Sequence, residues 1–147
     1  MRIIVQRCDK AEVRVEGNIV GKINYGMMLL VSFTYGDSEK EIDYLVNKVL
    51  NLRIFDDENG VMNKSILDIN GEILSISQFT LYANTSKGNR PSYIDALKGE
   101  DAIKLYDMFN EKLKSKIHTE TGAFGAEMKV DFINDGPITI LLEKENK

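Results

Sequence analysis

The run Met27-Met-Leu-Leu-Val-Ser-Phe33 constrains the fold of this sequence more than any other feature. It is mostly apolar, yet it falls far short of the roughly 18 residues that suggest a membrane span, so it reads as a central strand. Its flanks narrow the class. Upstream, Arg2–Arg7 alternates as a strand, and Glu12–Val15 with Ile19–Ile23 predicts a hairpin around Gly17-Asn18, a Gly-first pair suited to a type II′ turn. Downstream, Ser38 and Glu41 make a capping box, and Ile42, Leu45, Val46, Val49 and Leu50 recur at helical spacing. Asp56–Gly60 is a polar turn. Ser65–Ile69 and Glu72–Ser77 read as strands paired across Asn70-Gly71. A second helical region begins near Ser92, with Ala102, Tyr106, Phe109, Leu113 and Ile117 as its apolar stripe. Two closing strands follow: Met128, Val130 and Phe132 alternate, and Ile138–Glu143 runs on after Pro137. The expected fold is α/β: one domain, residues 1–147, of mixed, largely antiparallel β-sheet with about two main helices and no repeated βα units.

A domain of 147 residues buries roughly 68–70% of the surface its unfolded chain exposes, so it needs no disulfide or metal staple. The net charge of −4 argues against a generic nucleic-acid coat and leaves room for one small basic patch. The chain has one Cys and one His. Cys8 has no internal disulfide partner, and Cys8 with His118 falls short of the roughly four ligands of a structural zinc site. Neither a metal nor a cofactor is expected. A Cys8/His118 nucleophile pair is arithmetically open; otherwise catalysis falls to hydroxyls, carboxylates, lysines or the backbone. Met1–Arg7 carries too short an apolar stretch for a signal peptide, so a cytoplasmic location away from membranes is expected.

Four segments bear chemistry. In Ser75–Tyr82, a strand would put Ser77, Phe79 and Leu81 on one side and Gln78, Thr80 and Tyr82 on the other. That polar side is either a solvated face or a strand end that offers N–H groups and hydroxyls to a ligand carbonyl. In Asn84–Ser92, Lys87 and Arg90 are the only charges between Ile73 and Ile94, so the segment is a solvated loop or a contact for phosphate. In Asn134–Thr139, Gly136 brings no Cβ and Pro137 no N–H, so the pair is a plain turn or a rigid pair of carbonyls that accepts from an amine. In Thr121–Met128, Phe124 and Met128 either fill the core or sandwich a flat base.

Together these segments resemble the D-aminoacyl-tRNA deacylase family. Ser77-Gln78-Phe79-Thr80 matches its SQFT motif, and Asn134-Asp-Gly-Pro-Ile-Thr139 matches NxGPVT with Ile for Val. Further matches run nearly end to end: Val5-Gln6-Arg7, Leu52–Phe55, Lys87-Gly88 with Arg90-Pro91-Ser92, and Thr121-Gly122 with Phe124-Gly125-Ala126.

The resemblance implies hydrolysis of the ester between a D-amino acid and the 3′ end of tRNA, with glycyl-tRNA, such as glycine mischarged on tRNA(Ala), as a further substrate. It also implies a homodimer in which a cis Gly136-Pro137 reaches into the partner's site as a chirality filter. Ser77, Gln78, Phe79 and Thr80 would then line the ester, with Thr80 as the family's proposed nucleophile. Phe124 and Met128 would pack on the terminal adenine, and Arg7 would hold the Gly-Pro loop. Lys87 and Arg90 are the candidates for tRNA phosphate. Ser77–Tyr82 holds no base to activate Thr80. We therefore expect Thr80 and the N–H groups near Phe79 to orient and stabilise rather than attack.

Overall fold

The computed structural model describes residues 1–147. Its elements are β1 (Arg2–Val15), β2 (Asn18–Ile23), β3 (Gly26–Ser32), α1 (Glu39–Asn51), β4 (Phe55–Asp56), β5 (Met62–Lys64), β6 (Glu72–Ser77), a 3-10 turn (Phe79–Tyr82), α2 (Gly99–Lys114), β7 (Thr119–Thr121) and β8 (Lys129–Glu143). The α/β class with two helices and a largely antiparallel sheet is as the sequence predicts.

The long β1 organises the sheet. Nearly its whole length pairs antiparallel with β8. Along its other side, Arg2–Cys8 pairs with β3 and Ala11–Val15 with β2. The strands expected separately at Arg2–Arg7 and Glu12–Val15 are therefore one, because β3 and β2 follow each other along the same edge. The hairpin also turns one residue earlier than expected. Val15 pairs with Asn18, and Glu16 and Gly17, at φ of 50° and 80°, form the two-residue loop. Both central residues are left-handed, which is the type I′ geometry rather than II′.

β3 continues in parallel to β6, and β6 in parallel to β7. The sheet curls until β2 meets β7, so closely that a Cβ at Gly21 would lie 2.7 Å from Thr121 O. The curl makes two buried regions. On its outer face, Ile3, Val5 and Leu29 pack with Ile42 and Leu45 of α1 and Tyr106 and Phe109 of α2. Inside it, Cys8, Val13, Met28, Leu74 and Ile76 cluster, with Met128, Val130 and Phe132 against them. The capping box of α1 forms as predicted: Ser38 N–H donates to Glu41 (2.8 Å) and Ser38 Oγ accepts from Lys40 N–H (3.3 Å).

Three further expectations need correction. Ser65–Ile69 is a turn, because Ser65 N–H bonds the Asp68 carboxylate (2.9 Å) and Asp68 N–H bonds Ser65 Oγ (3.1 Å). These local bonds displace a ladder. The second helix starts at Gly99, not near Ser92, and its N-cap Lys98 makes no side-chain bond. The residues before it are tied to the end of β3, through a Thr34–Ala96 bridge and Leu97 N–H to Phe33 O (2.9 Å). The two closing strands are one, β8, interrupted by a bulge. Gln6 faces Thr139 while Cys8 faces Asn134, so two residue steps on β1 oppose five on β8.

Candidate active site

β6 loses its neighbours after Ser77: its last pair with β3 is Val31–Ser77, and its last with β7 is Ser75–Thr121. With no ladder ahead, the segment expected to continue as an alternating strand folds into the 3-10 turn instead. Gln78 N–H still reaches Val31 O (2.8 Å), Leu81 N–H bonds Gln78 O (3.3 Å) and Ala83 N–H bonds Thr80 O (3.0 Å). The N–H groups of Phe79 and Thr80 open the turn and have no partner within it. The turn is gripped from β1 and β3. Arg2 Nη1 donates to Leu81 O (2.8 Å), and buried Ser32 donates to Phe79 O (3.4 Å). Gln78 Nε2 donates to Thr80 Oγ1 (2.5 Å), which fixes that hydroxyl as an acceptor.

A cavity of about 300 Å³ opens beside this turn, at the ends of β3 and β6. Ser77, Gln78 and Phe79 form one wall, Phe124 and Met128 another, and none of its 14 lining residues is ionisable. The resemblance assigns Ser77, Gln78, Phe79, Phe124 and Met128 to substrate contact, and all five line these walls, whereas Thr80 does not. Sequence reasoning missed Ser32, Leu97 and Ala102, of which only Ser32, a hydroxyl closing an apolar run, carried a sequence signal. Phe124 leans on Tyr106 with ring centres 5.7 Å apart, and Tyr106 OH donates to Ser75 O (2.7 Å). Burial raises the Tyr106 pKa, so this phenol stays a donor at neutral pH. Met128 lies over Gly122, where a Cβ would come within 2.6 Å of its sulfur.

The Asn134–Thr139 segment is elsewhere. Gly136-Pro137 is a cis peptide on the bulge of β8, exposed to solvent and absent from the cavity wall. Arg2 lies opposite Ser32 at the cavity, whereas the bulge sits beside Arg7. Five strand residues separate the two, about 16 Å. Gly136 has φ 121° and a Cβ there would fall 2.8 Å from Ile138 Cγ1, so only glycine fits without strain. Arg7, buried, holds the base of the bulge. Its Nη1 donates to Ile54 O (2.8 Å), and its Nε ion-pairs with Asp135 at 2.9 Å, though the N–H is not aimed squarely at the oxygen. Tyr25 OH also donates to Asp135 (3.2 Å).

Lys87 and Arg90 are exposed on a loop closed at its base by reciprocal Asn84–Ser92 bonds of 2.8 and 2.9 Å. Neither lines the cavity. Cys8 and His118 are not brought together. The thiol is fully buried inside the curl, and His118 is exposed beside Glu120 (3.3 Å). No cluster of metal-ligating side chains occurs, and no helix is long and apolar enough to cross a membrane.

Residues 4–143 match the family model described as D-Tyr-tRNA(Tyr) deacylase. A D-aminoacyl-tRNA deacylase from Bacillus cereus (strain B4264) is 52% identical over 146 residues, 99% of this chain and 100% of that protein. A protein of the same name from Bacillus thuringiensis (strain Al Hakam) is 51% identical over the same shares. A solved structure described as c-Myc DNA Unwinding Element Binding Protein superposes with a TM-score of 0.94 at 40% identity, covering 99% of both chains. Another, of a probable eukaryotic D-amino acid tRNA deacylase, gives 0.83 at 17% identity over 96% of this chain and 97% of that one, a likeness of fold.

Proposed function

The chain belongs to the D-Tyr-tRNA(Tyr) deacylase family and is a D-aminoacyl-tRNA deacylase, and from this premise we propose how its residues divide the work. The terminal adenine lies between Phe124 and Met128, with the ester over Ser77–Thr80. Water adds to the ester carbonyl, the acyl C–O bond breaks, and the terminal ribose oxygen takes up a proton. The products are the free amino acid and tRNA. The N–H groups of Phe79 and Thr80 stabilise the developing oxyanion, and the Thr80 hydroxyl, fixed by Gln78, orients the ester. One observation carries this reading: the cavity wall holds no acid or base. An aminoacyl ester is already activated, so placement and charge stabilisation suffice, assisted by water or by the vicinal 2′-hydroxyl of the tRNA.

Chirality is read by Gly136-Pro137 from a second copy in a homodimer. Its carbonyls accept from the substrate ammonium, a D side chain points outward, and an L side chain meets backbone. Glycine has nothing to exclude, so glycyl-tRNA, including glycine mischarged on tRNA(Ala), is also hydrolysed. The reading draws support from the exposure of the bulge and its distance from the cavity of its own chain. Lys87 and Arg90 meet tRNA phosphate, and the enzyme works in the cytoplasm beside the translation machinery.

The test is release of amino acid from tRNA charged with D-Tyr, L-Tyr or Gly. D-Tyr and Gly are released, and L-Tyr is not. Equal release of D- and L-Tyr would overturn the filter alone; no release of D-Tyr would overturn the deacylase. A second reading, nucleic-acid binding without hydrolysis, is favoured by the description of the 40%-identical structure. It predicts tRNA binding with every charged amino acid left in place.

A further inference from the structure

Phe79 does more than line the cavity. It is 43% exposed, and outside the cavity its ring meets Tyr93 edge-on, with centres 5.2 Å apart. Lys98 Nζ stands 4.8 Å from the Phe79 ring centre and 5.7 Å from that of Tyr93. Lys98 forms no ion pair, although Glu100 and Asp101 follow it in the chain. Its backbone starts from a fixed point, because the preceding Leu97 lines the cavity and is tied to Phe33 O. Between Phe79 and Lys98 the charged residues are Lys87, Arg90, Asp95 and Lys98, three cations against one carboxylate in a chain of net charge −4. Two half-exposed rings with an unpaired cation, on the rim of a nucleoside-sized cavity, suit a base and its phosphate. An acidic protein surface would meet the charge but leave unused the nucleoside-sized cavity that the rings border.

We propose that Phe79, Tyr93 and Lys98 form a second nucleotide subsite, where the base preceding the terminal adenosine stacks and Lys98 meets the phosphate between the two. The proposal rests on the deacylase reading of the cavity and adds to it a preference for a substrate longer than one nucleoside.

The experiment compares kcat/KM on two esters, D-tyrosyl-adenosine and D-tyrosyl-cytidylyl-adenosine. Their ratio cancels any loss common to both. Wild type is expected to favour the dinucleotide by about 10-fold. Tyr93→Ala brings the ratio close to one. Lys98→Gln lowers it and flattens its salt dependence by a log–log slope of about 0.7, the share of one phosphate on a single strand. Lys98→Arg retains it. A wild-type ratio of one, or an unchanged ratio in both Tyr93→Ala and Lys98→Gln, would overturn the subsite while leaving the deacylase intact. Wild type inactive on both esters and on D-Tyr-tRNA is a different result; it removes the deacylase reading and the subsite with it.

Discussion

The 3-10 turn at Phe79–Tyr82 and the bulge at Asp135–Pro137 are both places where a strand leaves its ladder, and they leave opposite groups free. The turn frees two N–H donors beside an apolar cavity. The bulge presents a glycine and a proline, hence mostly carbonyl acceptors, to open solvent. An aminoacyl ester needs both, donors for its carbonyl oxygen and acceptors for its ammonium, only a few bonds apart. Within one chain the two regions are about 16 Å apart along β1. If the bulge carries the ammonium acceptors, as proposed above, one copy holds the two halves of a site but not a whole one.

Complementation between two inactive variants should give the largest effect. Gly136→Ala forces a Cβ into a left-handed position and against Ile138, and is expected to lower D-Tyr-tRNA hydrolysis at least about 100-fold. Ala126→Trp fills the cavity and should be equally inactive. In a mixed dimer with sites completed in trans, one site carries both defects and the other neither. An equal mixture should thus recover about a quarter of wild-type activity. If dimers form and no activity returns, the two regions do not meet across copies and the comparison breaks.

Thr80→Val comes next. It removes the hydroxyl that accepts from Gln78 but keeps the N–H, so single-turnover deacylation should slow by about 10–100-fold without stopping. A complete loss, together with a trappable acyl-Thr80 in the wild type, would make Thr80 the nucleophile and the turn more than a cradle. A substrate ending in 2′-deoxyadenosine tests assistance by the RNA separately.

How much of this was legible in the sequence differs between the two regions. Both motifs stood out as residue strings. The shape of the first did not. Ser77-Gln-Phe-Thr-Leu-Tyr82 alternates in polarity as a strand would, and only the loss of neighbours beyond Ser77 makes it turn. The second read as a break between two strands, because Gly and Pro punctuate locally while the ladder to β1 on either side is long-range. Ser65–Ile69 failed through a competing local bond between Ser65 and Asp68. The first helix fared best, since its stripe and the Ser38 cap are local; the second, with no capping side chain, starts at Gly99 rather than near Ser92.

Arg7→Met should separate the buttress of the bulge from that of the turn. It removes the bonds to Ile54 O and Asp56 and the ion pair with Asp135, and strands one buried carbonyl and two carboxylates that are partly open to water. A cost of about 2 kcal/mol in chemical denaturation is expected. Activity on D-Tyr-tRNA should fall further than that loss explains, because Asp135 adjoins Gly136. A variant equally destabilised but fully active at low temperature would show that the bulge keeps its shape without Arg7.

The smallest effect belongs to Cys8, which adjoins the bulge and reaches the cavity wall through the inner cluster. It faces Asn134 and shares that cluster with Ile76 of the wall. Burial pushes its thiol from 9.0 up to about 12, so at pH 8 the folded protein carries it as an unreactive thiol. Iodoacetamide should label Cys8 only after denaturation, and activity should survive hours of exposure to the reagent. Above about pH 9 the unfolded chain releases this proton while the folded one keeps it, so stability should decline as pH rises. Rapid labelling of the native protein with loss of hydrolysis would mean that the inside of the curl opens on the timescale of turnover. The turn and the bulge would then be coupled through one mobile interior rather than held as two fixed halves.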